Sequence, residues 1–130
     1  TDVGLRFKST RGRGGLVKDI WCRNIYMKDI VSYGVIFNLY YAGVAATDMS
    51  AVEGPDVQPV DETTPEFRDI HVCGVTCSGS DQAIYINGLP ELPVSGISFS
   101  DCRFTSRKDA EVHHAENITF DNVLVNGKSL

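Results

Sequence analysis

The pattern Ile-x-Φ-x-x-Φ-x-Φ, where Φ is apolar, occurs four times in this 130-residue chain and leaves few folds open to it. It reads Ile20, Cys22, Ile25, Met27, and then Ile70, Val72, Val75, Cys77. It returns as Ile97, Phe99, Cys102, Phe104 and finally as Ile118, Phe120, Val123, Val125. A spacing of two places side chains on one face of a strand, and no segment shows the three-and-four spacing of an amphipathic helix. The interruption between the two halves carries Asn24, Gly74, Asp101 and Asn122 at its second position. These residue types tolerate left-handed backbone angles best. Each copy is therefore expected to be two short strands meeting at a fixed bend, with the Φ positions pointing inward.

A looser segment precedes each copy: Gly4-Leu-Arg-Phe-Lys8, Gly34-Val-Ile-Phe-Asn38, Ala83-Ile-Tyr-Ile-Asn87 and Ala110-Glu-Val-His-His114. Three short strands per repeat, at this spacing, describe an all-β parallel β-helix of about four coils. Residues 1–130 read as a single such unit, with a loop insertion at about 45–65, rich in Asp, Glu, Pro and Thr. Four coils leave open strand edges at both ends. With nothing before Gly4 long enough to cap them, the chain is expected to be a segment of a longer solenoid, or to pair with another copy through those ends.

Net charge is −5, which argues against a general nucleic-acid binder. The longest apolar stretch, Tyr33 to Ala46, contains Asn38 and is too short to span a bilayer. The charge is unevenly spread. Residues 1–28 hold seven Lys and Arg against two Asp, while the remainder holds five basic and fifteen acidic residues. A function that seeks anions belongs at the N-terminal end. There Arg6 and Lys8, two apart on a strand, form a cationic pair on the exterior of the column. Arg holds a carboxylate bidentately and Lys adds a mobile point charge.

Gly4-Leu-Arg-Phe-Lys-Ser9 followed by Arg11-Gly-Arg-Gly-Gly15 resembles the Gly-x-Arg-Ile-Lys-Ser…Arg-Gly-Gly segment of the polygalacturonase-type, pectin-active glycoside hydrolases (family 28). Val17-Lys-Asp-Ile20 with Asn24-Ile25 and Met27 is similar to that family's next coil, and Gly88-Leu-Pro-Glu-Leu-Pro-Val94 looks like its bacterial branch. The resemblance covers the C-terminal portion of a full-length member. It implies a right-handed, single-stranded, pectin-lyase-like β-helix, secreted or periplasmic, acting on an acidic polysaccharide or oligogalacturonide without a cofactor. It further implies that Arg6 and Lys8 bind the galacturonate next to the cleaved bond. Tyr41, or the adjacent Tyr40, falls where the family has a tyrosine lining the same pocket.

Inverting hydrolysis needs an acid and a base carboxyl roughly 6.5–9.5 Å apart. The family supplies them from Asn-Thr-Asp and Asp-Asp segments beside a Gly-His-Gly, and none of the three occurs in this sequence. No catalytic residue is therefore assigned. Asp19, Asp69, Asp101 and Asp121 read as turn formers, and Glu91 sits in the Leu-Pro-Glu turn with no partner evident on its face. The alternative to a hydrolase segment is a non-catalytic carbohydrate-binding or oligomerising β-helix, whose outward face offers Arg6, Lys8, Asn38, Tyr85 and Asn87.

The remaining signals have structural readings. One Arg-Gly run in an acidic chain is a turn before it is an RNA-binding segment. His71, Cys73, Cys77 and His113 suggest zinc, but Cys77 falls on an inward position and His71 on an outward one, so no metal site is assigned. Cys22 and Cys102 belong to inward ladders as small apolar residues, which predicts reduced thiols, and Cys73 at the bend is the most exposed. Asn117-Ile-Thr119 is a glycosylation sequon only in a eukaryotic secretory host. His113-His114 reads as a solvated pair.

Overall fold

A computed structural model describes residues 2–39 and 59–130. Residues 45–58 of the expected insertion, together with Tyr40 and Tyr41, lie outside the described residues. The described chain is all-β, with strands β1 (Val3–Lys8), β2 (Leu16–Val17), β3 (Ile20–Lys28), β4 (Tyr33–Asn38) and β5 (Glu66–Asn87). They are followed by β6 (Val94–His113), β7 (Ala115–Glu116), β8 (Thr119–Val125) and β9 (Lys128–Ser129). Every pairing is parallel except the terminal β8–β9 hairpin. β5 and β6 are long because each bends through successive sides of the column without leaving the ladder. This is a parallel β-helix.

One side stacks β1, β4, the end of β5 and the end of β6; another stacks β3, the start of β5, the start of β6 and β8. The inward positions align from coil to coil. Phe7 pairs in register with Phe37 and then Ile86, with the two phenyl rings stacked at 4.4 Å. Cys22 aligns with Val72, Phe99 and Phe120. In the two middle copies every Φ position of the repeat is buried. In the first copy Ile20, Cys22 and Ile25 are only partly buried, because β1 and β3 each have a ladder partner on one side alone among the described residues.

The bends take the expected left-handed form: φ is 56° at Asn24, 69° at Gly74, 52° at Asp101 and 56° at Asn122. The Asn122 side-chain amide donates to Asp101 Oδ1 at 2.8 Å, which links two of these corners. A second corner column, Asp19, Asp69, Gly96 and Asn117, is also left-handed. Asp19 and Asp69 thus act as turn formers, and Asn117 of the sequon is a corner residue. Asp121 stands beside the Asn122 bend and does not itself adopt the left-handed angle.

The fourth copy of the looser segment departs from the expected alignment by one residue. Ala110 pairs with Ile84, not with Ala83, and Val112 with Ile86. The cause is a bulge in β5. Ser78 pairs with Thr105 and Ser80 with Ser106, so Gly79, at φ 113°, is an extra residue without a counterpart in β6.

Candidate functional site

β1 opens the first described coil, and its alternation turns Leu5 and Phe7 toward the core and leaves Arg6 and Lys8 exposed. Parallel register then builds two outward columns on this side. One runs Arg6, Ile36, Tyr85, Glu111; the other runs Lys8, Asn38, Asn87, His113. Asn87 Nδ2 donates to Asn38 Oδ1 at 3.4 Å, an amide step directly above Lys8. Tyr85 meets Tyr33 edge-on at 5.5 Å and His113 at 6.2 Å, which gives the middle of the face an aromatic surface. Arg6 faces Asp2 at 3.5 Å with both side chains largely in water. Such a pair holds about 0–1 kcal/mol, so a ligand carboxylate can displace it.

The face is polar along the column axis. Cations stand on the first coil, amides and tyrosines on the next two, and Glu111 on the last. His113 Nε2 lies 2.7 Å from Glu111 Oε2. That hydrogen bond, more than any other contact, holds the Glu111 carboxyl below its ordinary range. Glu111 therefore stays anionic under mildly acidic conditions, and its small contribution is lost only as pH falls through the depressed folded-state value.

The glycine-rich turn after β1 has a role that spacing does not reveal. Arg11 Nε and Nη2 reach Glu91 Oε2 and Oε1 at 2.7 and 2.8 Å, a bidentate pair between residues eighty apart in sequence. The side chains are 12% and 2% exposed. Glu91, expected to lack a partner, is thus the buried anchor of a turn that begins three residues after Lys8. The turn is also fixed from the second coil. Gly12 N–H donates to Thr63 O at 3.0 Å, and Glu66 N–H to Gly15 O at 2.9 Å. At Gly14, φ is 66° and a Cβ would stand 2.2 Å from Glu62 O, so only glycine fits there. The Arg-Gly run is a structural turn.

A further cluster lies on the side built from β3. Trp21 stacks on His71 at 4.1 Å, and Arg23 Cζ lies 5.1 Å from the Trp21 ring. His71 Nδ1 is 2.6 Å from Ser98 Oγ. The signal for this column was present in the sequence, since Trp21, His71, Ser98 and Thr119 each follow the Ile of a repeat copy. His71 faces outward and Cys77 is buried, so the two diverge as expected. All four cysteines are free. Burial pushes the Cys22, Cys77 and Cys102 thiols up, which makes them poor nucleophiles. Cys73 is half-buried, less exposed than its bend position suggests. Among the described residues no helix is long and apolar enough to cross a membrane.

The family model described as glycosyl hydrolases family 28 matches residues 1–126 of the chain. No curated protein matches it.

Proposed function

Because the chain belongs to glycosyl hydrolases family 28, we propose that it is a segment of a pectin-degrading, polygalacturonase-like hydrolase, and that Arg6 and Lys8 supply its grip on a galacturonate carboxylate. One observation carries this reading: Arg6 and Lys8 project side by side from β1 onto a face continued by Asn38, Tyr85 and Asn87. Arg6 offers a planar fork for the carboxylate and Lys8 a point charge. Asn38, half-buried and bonded to the buried Asn87, offers an amide for sugar hydroxyls, and the half-buried tyrosines an apolar surface for the ring. On this reading residues 1–130 form one solenoid unit that acts outside the cell, and the acid and base carboxyls come from outside these residues.

Calorimetric titration of the chain with trigalacturonate tests the assignment. Losing charge-assisted hydrogen bonds of about 1.5–3 kcal/mol should weaken binding roughly 10- to 100-fold in the Arg6→Ala, Lys8→Ala double variant. A neutral oligosaccharide of the same length should bind neither form. Undiminished affinity in the double variant would remove Arg6 and Lys8 from the site.

A second reading is favoured by the half-exposed inner residues of the first coil, Leu5, Phe7, Ile20, Cys22 and Ile25. An isolated chain with such an edge would bind a second copy through it. Light scattering at increasing concentration decides this, and a strictly monomeric species excludes it.

A further inference from the structure

The outward positions of β3 alternate in kind. Trp21 and Arg23 precede the Asn24 bend, and Tyr26 and Lys28 follow it, so the strand presents aromatic, cation, aromatic, cation. All four are exposed, Trp21 at 60% and Tyr26 at 67%. Two coils further along, Arg103 stands in the same column as Tyr26 and Thr76.

Among the described residues, five of the twelve Lys and Arg are held in ion pairs, and the cations of this surface are not among them. Arg6, Arg11, Arg68, Arg107 and Lys108 each have a carboxylate within 4 Å. Arg23, Lys28 and Arg103 have none among the described residues. Arg23 lies against the Trp21 ring at 5.1 Å, while Lys28 and Arg103 flank Tyr26 on the strand and along its column. The first coil of this surface thus offers two cations beside two flat apolar platforms, with Asp101 and Asp121 standing on the later coils of the same columns. His71 keeps the Trp21 ring in place by stacking, and Ser98 fixes the imidazole by its hydrogen bond, so the platform is held from the next two coils.

We propose that the ridge formed by the two halves of β3 on either side of the Asn24 corner is a second docking surface, distinct from the Arg6–Lys8 face, for an anionic polysaccharide of the uronate class. A uronate chain presents both complementary chemistries in one unit, an apolar ring face to lie on the indole and phenol and a carboxylate to meet Arg23, Lys28 or Arg103. The proposal rests on the galacturonate reading above for the identity of the polymer. It goes beyond that reading in assigning a site on a different side of the coil. The two surfaces would let one chain hold a long polymer at a distance from the segment gripped by Arg6 and Lys8.

Trp21 is the only tryptophan in the sequence, so emission excited beyond the tyrosine band reports on this surface alone. The full chain is titrated with polygalacturonate and, separately, with trigalacturonate, following tryptophan emission and heat together. The polymer is expected to shift and quench emission saturably in the wild type and equally in the Arg6→Ala, Lys8→Ala variant. The Arg23→Ala, Arg103→Ala variant should lose about tenfold in polymer affinity while its trigalacturonate affinity and its unfolding midpoint stay unchanged. Polymer binding seen by heat with no emission response overturns the second surface and leaves the Arg6–Lys8 reading standing. An emission response that persists when trigalacturonate gives no heat supports the second surface and sinks the Arg6–Lys8 reading. Equal affinity for single-stranded DNA shows a non-specific polyanion patch and overturns the assignment.

Discussion

Glu91→Ala should destabilise the chain by about 3–5 kcal/mol, measured as a fall in the urea midpoint at constant slope. The carboxylate is 2% exposed and bound by both donors of one face of the Arg11 guanidinium. Removing it leaves Arg11, itself 12% exposed, as a buried cation without its bidentate acceptor. Most of the penalty is a guanidinium held largely away from water without its carboxylate, not the lost attraction. The double variant Arg11→Met, Glu91→Leu, which removes both charges, should therefore recover much of the loss. If the double variant is as unstable as Glu91→Ala, the cost comes from packing in the turns and not from the unbalanced charge.

Phe37→Ala is the second large effect, about 3–5 kcal/mol by the same measurement. Phe37 has no exposed surface, stacks on Phe7 at 4.4 Å with the rings 8° from parallel, and is held in register by Ile86 on the coil beyond. In a column of this kind the walls are hydrogen-bonded ladders at a fixed spacing, so they cannot close around the lost ring. The cost should fall toward the upper end of the range. Phe7→Ala offers an internal comparison: Phe7 is only partly buried, so its replacement should cost clearly less. Equal losses at the two positions would show that the first coil is covered in solution.

Much of the fold could be read in the sequence because a β-helix imposes two requirements on every coil. The interior accepts only apolar side chains at alternate positions, and the corners accept only residues at ease with positive φ. Ile70, Val72, Val75 and Cys77 satisfy the first, and Asn24, Gly74, Asp101 and Asn122 the second. What could not be read depends on how coils of unequal length lie over one another. Arg11 and Glu91 are in turns of different coils, and no local pattern tells which turns meet. The one-residue displacement of Ala110 follows from Gly79, which looks like any other glycine until its neighbour in the ladder is known. Of the candidate site, Arg6, Lys8, Asn38, Tyr85 and Asn87 were legible as outward residues of one recurrent strand. The Trp21–His71 stack was legible only by comparing copies column by column, since each residue alone is an ordinary exposed side chain.

The Arg11–Glu91 pair also bears on how the solenoid comes apart. A stacked repeat touches its nearest neighbours, so it can fray from an end one coil at a time. Here the first described coil is bonded past the second to a turn of the third. Opening the end therefore means releasing a contact held two coils away, and the three coils lose their protection as one cooperative block. The glycine-rich turn after β1 thus does more than reverse the chain. It sets the size of the smallest piece of the column that can unfold on its own.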